Sequence, residues 1–131
     1  MRKRRLEIEE DLLYLESALN YCDLAERKLA LVDFGNFDFR EETLLEGVVL
    51  NLGQIGEQFD RQKLSYETYI MFKKYLNLSE IKESRQECYH HYGSLDVQAI
   101  VDFVLIDVPE WKKKIIYMQN YLEAELHGES G

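Results

Sequence analysis

One stretch of the chain concentrates its reactive side chains: Glu83-Ser84-Arg85-Gln86-Glu87-Cys88-Tyr89-His90-His91-Tyr92-Gly93 holds two of the three histidines beside an arginine. Arginine carries a permanent, planar charge whose forked donors match phosphate oxygens. Imidazole titrates near neutral pH and can take up or return a proton. Cleaving RNA calls for both actions. One group activates the 2′-hydroxyl while another holds the negative charge that grows on the phosphoryl oxygens, and no metal is then required. His90 and His91 are adjacent, and neighbours on a helix point apart, so they make a poor metal pair. No phosphate-cradling glycine loop, serine-nucleophile motif or zinc-like Cys/His spacing occurs in the sequence.

Spacing constrains how these groups could cooperate. A helix turns about 100° per residue, so Arg85 and Tyr92, seven apart, share a face. His90, five from Arg85, lies about 140° round. A straight helix does not aim both at one phosphate. Either the helix ends or distorts between them, or a cleft between two subunits gathers the groups. On spacing alone a plainer reading stands beside the catalytic one, with Arg85 a surface charge, His90 a satisfied histidine and Tyr92 a core residue.

The elements that must hold this stretch are helical. From about Lys3 to Leu31, Ile8, Leu12, Leu15, Leu19, Cys22 and Leu29 form one apolar stripe. A loop containing Gly35 and Asn36 follows. Asp38, with Glu41 three residues on, resembles a capping box. The second helix carries Leu45, Val48, Leu52, Ile55 and Phe59 on one face, and its Gly47, Gly53 and Gly56 suggest close packing of another helix. Ser65 is a good cap for a third helix to about Asn77, with Tyr69, Phe72 and Leu76 inward. Ser79 can cap a fourth, running to about His91 and stopped by Gly93. The run Ala99–Ile106 reads as a buried helix. Asp107-Val108-Pro109-Glu110 starts the last one, with Trp111, Ile115, Met118 and Leu122 inward. Residues 1–127 then form a single all-α up-down bundle of five or six helices, with 128–131 a frayed tail.

Composition narrows the function classes. At 131 residues the chain fits one domain, and a 46% hydrophobic fraction supports a continuous core. The net charge of -9 argues against a protein that coats nucleic acid by charge alone, though not against a nuclease with a small basic site, and it suits a basic partner. Arg2-Lys3-Arg4-Arg5 reads as a solvated segment. Cys22 and Cys88 read as buried free thiols in a reducing, cytoplasmic setting. No apolar run approaches the ~20 residues of a membrane span. The acidic residues from Glu7 to Asp11 argue against a secretion signal.

Arg85, four residues, His90, one residue and Tyr92 resemble the RX4HXY motif of the HepT-like group of HEPN proteins. Asn51-Leu52-Gly53-Gln54-Ile55-Gly56-Glu57 is similar to the family's second-helix pattern. Leu95-Asp96-Val97 through Glu110 resembles its closing helices, so the likeness runs along nearly the whole chain. The resemblance implies a HEPN bundle acting as a homodimer, with the motifs of both copies meeting in a cleft. It implies metal-independent endoribonuclease activity with no cofactor, as the toxin of a toxin–antitoxin pair. Its partner would be an MntA-like nucleotidyltransferase antitoxin that adds AMP to the motif tyrosine. Carried onto this chain, Arg85 and His90 are catalytic and Tyr92 is the modified residue. Gln86, His91 and Glu57 are candidates for supporting roles. Gln86 is a departure, because members often carry Asn or another small polar residue there. A non-catalytic module that binds nucleotide or docks a nucleotidyltransferase is the alternative, favoured by Gln86 and the acidic balance. A plain structural bundle is the third reading.

Overall fold

The computed structural model describes residues 2–130 (the side chains of Glu129 and Ser130 excepted), and they are almost wholly helical. The elements are α1 (Arg2–Ala30), α2 (Phe39–Glu57), α3 (Tyr66–Leu76), α4 (Leu78–Glu87), α5 (Val97–Asp102) and α6 (Val108–Ser130), with a π-helical turn, Phe103–Asp107, joining α5 to α6. α1 lies between α2 and α6, and α2 packs in turn on α4. The pairings run antiparallel. Gly53 and Gly56 of α2 meet Arg85 and Lys82 of α4 in reverse order. Arg4 meets Glu125, and Lys112 meets Asp23 and Glu26, along α1 and α6. The result is an up-down all-α bundle.

The apolar stripes read from the sequence form its core. Ile8, Leu15, Cys22 and Leu29 of α1 are buried against Leu45, Val48, Leu52 and Ile55 of α2 and Ile115, Met118 and Leu122 of α6. Asp38 caps α2 by accepting from the Arg40 N–H at 2.9 Å, and Ser65 caps α3 by accepting from Thr68. Glu41 does not complete the capping box. Its buried carboxylate turns back to the Asp33 N–H instead.

Four expectations are corrected. α4 starts at Leu78, behind a left-handed Asn77 (φ 53°) and not at a Ser79 cap, and it ends at Glu87, well short of His91. The run Ala99–Ile106 is helical, but it is not buried throughout. Leu105 and Ile106 are 63% and 62% exposed. Pro109 gives the physical reason for the widened turn here: its ring has no N–H and clashes with the carbonyl four residues back. The chain loosens ahead of it, and the Val108 N–H reaches the Phe103 carbonyl, five residues away. Arg4 leaves the basic run to become a buried hub, contacting Ser65, Thr68, Asp11, Glu67 and Glu125. Finally, α6 continues through Gly128 to Ser130, where a tail was expected; Gly131 lies outside the described residues.

Both cysteines are buried and free. Burial pushes each thiol up to about 12, with nearby carboxylates adding to the effect. No helix among the described residues is long and apolar enough to cross a membrane.

Candidate active site

Arg85 projects from the last turn of α4 over α2. It can lie there because Gly53 has no side chain: a Cβ at that position would stand 2.9 Å from Arg85 Cδ. One turn along, Gly56 lets the α4 backbone approach, its would-be Cβ falling 3.2 Å from the Lys82 Cα. These two glycines hold α4 against α2 and open a cleft of about 200 Å³ lined by Gly53, Gly56, Glu57, Asp60, Lys82 and Arg85. Among the described residues, no carboxylate lies within ion-pairing distance of the Arg85 guanidinium. Its charge is available to an anion.

Beyond Cys88 the chain reverses. The Asp96 N–H donates to the Cys88 carbonyl at 2.7 Å and the His90 N–H to Ser94 at 2.8 Å, while the Gly93 N–H closes back on the His90 carbonyl at 2.9 Å. Tyr89 and Leu95 pair across this narrow turn. Gly93 sits at φ +94°, a conformation that side chains disfavour, so it makes the turn rather than the helix stop expected of it. These turn bonds use the Cys88 and His90 carbonyls that a longer α4 would have used along its axis. The helix therefore ends between Arg85 and His90, one of the two ways their helical offset could be relieved.

His90 is held on two sides. Its ring stacks on Tyr92, with centroids 5.1 Å apart and planes 13° from parallel. Its Nδ1 faces Asp96 Oδ2 at 3.8 Å, a separation longer than a hydrogen bond. The other Asp96 oxygen accepts from the Ala99 N–H at 3.1 Å, capping α5. Tyr92 is 81% exposed, which removes the core reading of that residue.

Searches against family models, curated proteins and solved structures find no match to this chain.

Of the six residues singled out in the sequence, the fold groups four in two pairs. Arg85 shares its cleft with Glu57, and His90 is stacked with Tyr92. Within one chain neither His90 nor Tyr92 lines the Arg85 cleft. Gln86 and His91 are exposed and join neither pair. Two participants escaped the sequence reading. Asp96 was legible as a helix cap, since an Asp precedes the apolar run, but its approach to His90 depends on the reversal at Gly93. Gly53 was legible as a packing glycine, but not as the seat of Arg85.

Proposed function

We propose that this chain is the ribonuclease toxin of a toxin–antitoxin pair, a HEPN-like cytoplasmic protein acting as a homodimer. The observation that carries the reading is an unneutralised arginine and an oriented imidazole standing on either side of a helix end. His90 takes the proton of a ribose 2′-hydroxyl, the 2′-oxygen forms its bond to phosphorus, and the P–O5′ bond breaks. Arg85 holds the phosphoryl oxygens as charge builds on them. The departing 5′-oxygen takes a proton, leaving a 2′,3′-cyclic phosphate and a 5′-hydroxyl. Two motifs facing one another across a dimer supply one imidazole for each proton transfer, and they relieve the separation of Arg85 from His90 within one chain.

Support for self-association comes from Leu105 and Ile106, consecutive apolar side chains left exposed on the π turn. Single exposed apolar residues are ordinary, and two consecutive ones on a turn give a second copy of the chain apolar area to cover. Tyr92, exposed and stacked on His90, suits modification by a nucleotidyltransferase antitoxin, since its ring is open to solvent and AMP on it would crowd the imidazole's neighbourhood. Glu57, which lines the Arg85 cleft without pairing with Arg85, would take the supporting role of holding that arginine in register once substrate arrives.

Expression in a host lacking the antitoxin tests this reading. Wild type is expected to arrest growth, whereas Arg85→Ala and His90→Ala at equal abundance do not. Equal arrest by all three refutes it. Mass mapping after co-expression with the cognate nucleotidyltransferase is expected to find AMP on Tyr92 and none in Tyr92→Phe. If growth continues with all three while the nucleotidyltransferase binds tightly, the chain is a non-catalytic docking module.

A further inference from the structure

We infer that Asp96 is a positioning residue that fixes the tautomer of His90, holding the proton on Nδ1 and leaving Nε2 as the atom that accepts protons. The inference rests on the ribonuclease reading only for its consequence in catalysis, since the pairing itself is geometric. Neutral imidazole carries one proton, and the group facing one nitrogen decides which nitrogen bears it. A carboxylate accepts and does not donate, so the nitrogen facing Asp96 Oδ2 is the protonated one. At 3.8 Å the contact is loose, as catalytic contacts often are before substrate binds.

Three further observations make the pairing more than proximity. The backbone bonds Asp96 N–H to Cys88 and His90 N–H to Ser94 fix the two residues on facing arms of one turn. Asp96 is itself anchored, because its Oδ1 caps α5 at Ala99 and so aims Oδ2 away from the helix, at His90. The Tyr92 ring stacked on the imidazole restricts the remaining rotation. With Nδ1 turned to Asp96 and one face covered, Nε2 is the nitrogen left for a ribose hydroxyl.

Because one Asp96 oxygen is committed to the cap, replacement by Asn has a defined result. Asn caps helices as well as Asp does. Its oxygen stays on the Ala99 N–H, and its NH2 takes the place of Oδ2. That NH2 is a donor, so Nδ1 must accept and the proton moves to Nε2. The base is then blocked while the fold stands, the outcome known when the orienting carboxylate of a catalytic histidine is made an amide.

The test is 15N–1H correlation of the imidazoles in alkaline buffer, where they are neutral, with the His90 signals identified by their loss in His90→Gln. Wild type is expected as the Nδ1–H tautomer and Asp96→Asn as the Nε2–H tautomer, with helical circular dichroism unchanged. Asp96→Ser, which keeps a capping oxygen but no carboxylate, is expected to lose the Nδ1–H preference too. The same tautomer in wild type and both variants overturns the inference, as does Nε2–H in wild type. In the cleavage assay, Asp96→Asn is expected to lower kcat by about 10²-fold or more with KM little changed. Tautomer exchange in a protein that never cleaves RNA would uphold the positioning role and refute the ribonuclease reading, so the two failures are told apart.

Discussion

Adding one methyl group at Gly53 separates the seating of Arg85 from the stability of the bundle. An alanine Cβ there stands 2.9 Å from Arg85 Cδ, against about 3.5–4 Å for carbon atoms at rest. The arginine arm must retreat by about 0.6–1 Å, judged against that resting distance. Arg85 is exposed, so it can swing outward for a rotamer cost of about 0.5–1.5 kcal/mol. The helix gains about 1 kcal/mol from replacing glycine with alanine. The terms nearly cancel, and Gly53→Ala is expected to unfold within about 4 °C of wild type. At Gly56 the obstacle is backbone, with Lys82 Cα at 3.2 Å and the Ile81 carbonyl oxygen at 3.4 Å. There α4 itself must move, at about 1–3 kcal/mol for overpacking, so Gly56→Ala is expected to be the less stable variant. Misplacing a binding group by about 1 Å can cost about 10²-fold in rate, so Gly53→Ala is expected to cleave RNA 10–10²-fold more slowly at about wild-type stability. Thermal unfolding by circular dichroism and a fluorogenic RNA substrate measure the two effects. A Gly53→Ala protein that unfolds below Gly56→Ala, or that cleaves at the wild-type rate, would refute this account of the glycines.

Three other outcomes follow from the packing and the charges. Arg4→Ala should destabilise the fold by about 3 kcal/mol, because it strands Asp11, only 1% exposed, without its cation; denaturant titration reads the loss, and a change below about 0.5 kcal/mol, the size of ordinary surface effects, would contradict the hub. Cys22 and Cys88, held up at about 12 by burial, should stay unreactive toward a thiol reagent at pH 8 until denaturant is added. Asp107 has its carboxyl raised by burial first and then by Glu80 and Asp102, so its ionised form opposes folding. Asp107→Asn should therefore melt higher than wild type at pH 7, and the gap should close as pH falls into the carboxylate range and Asp107 takes up its proton; a gap that widens on acidification would reverse the sign.

Much of the fold was legible because its determinants are local and periodic. The stripe from Ile8 to Leu29, the caps at Asp38 and Ser65 and the inner face of α6 depend on residues three or four apart, and they stand where periodicity put them. The misreadings arose where distant or non-helical contacts prevail. His90 looked helical by proximity to Arg85, but Ser94 and Asp96 lie across the turn and take over the backbone bonds. Arg4 looked like part of a solvated run because the partners that bury it, Thr68 and Glu125, lie more than sixty residues away. Leu105 and Ile106 looked like core because composition does not say which side of a π turn faces outward. At the candidate site the residue types were legible, while Asp96 and the seat at Gly53 depend on the turn and the α2–α4 crossing.

The central claim is most directly tested by incubating the purified protein with RNA in EDTA, beside His90→Ala and Arg85→Ala, once mass measurement has established that Tyr92 carries no AMP. The account predicts cleavage by wild type to cyclic-phosphate ends and none by either variant. Cleavage retained by His90→Ala, or none by unmodified dimeric wild type on several RNAs, would contradict it.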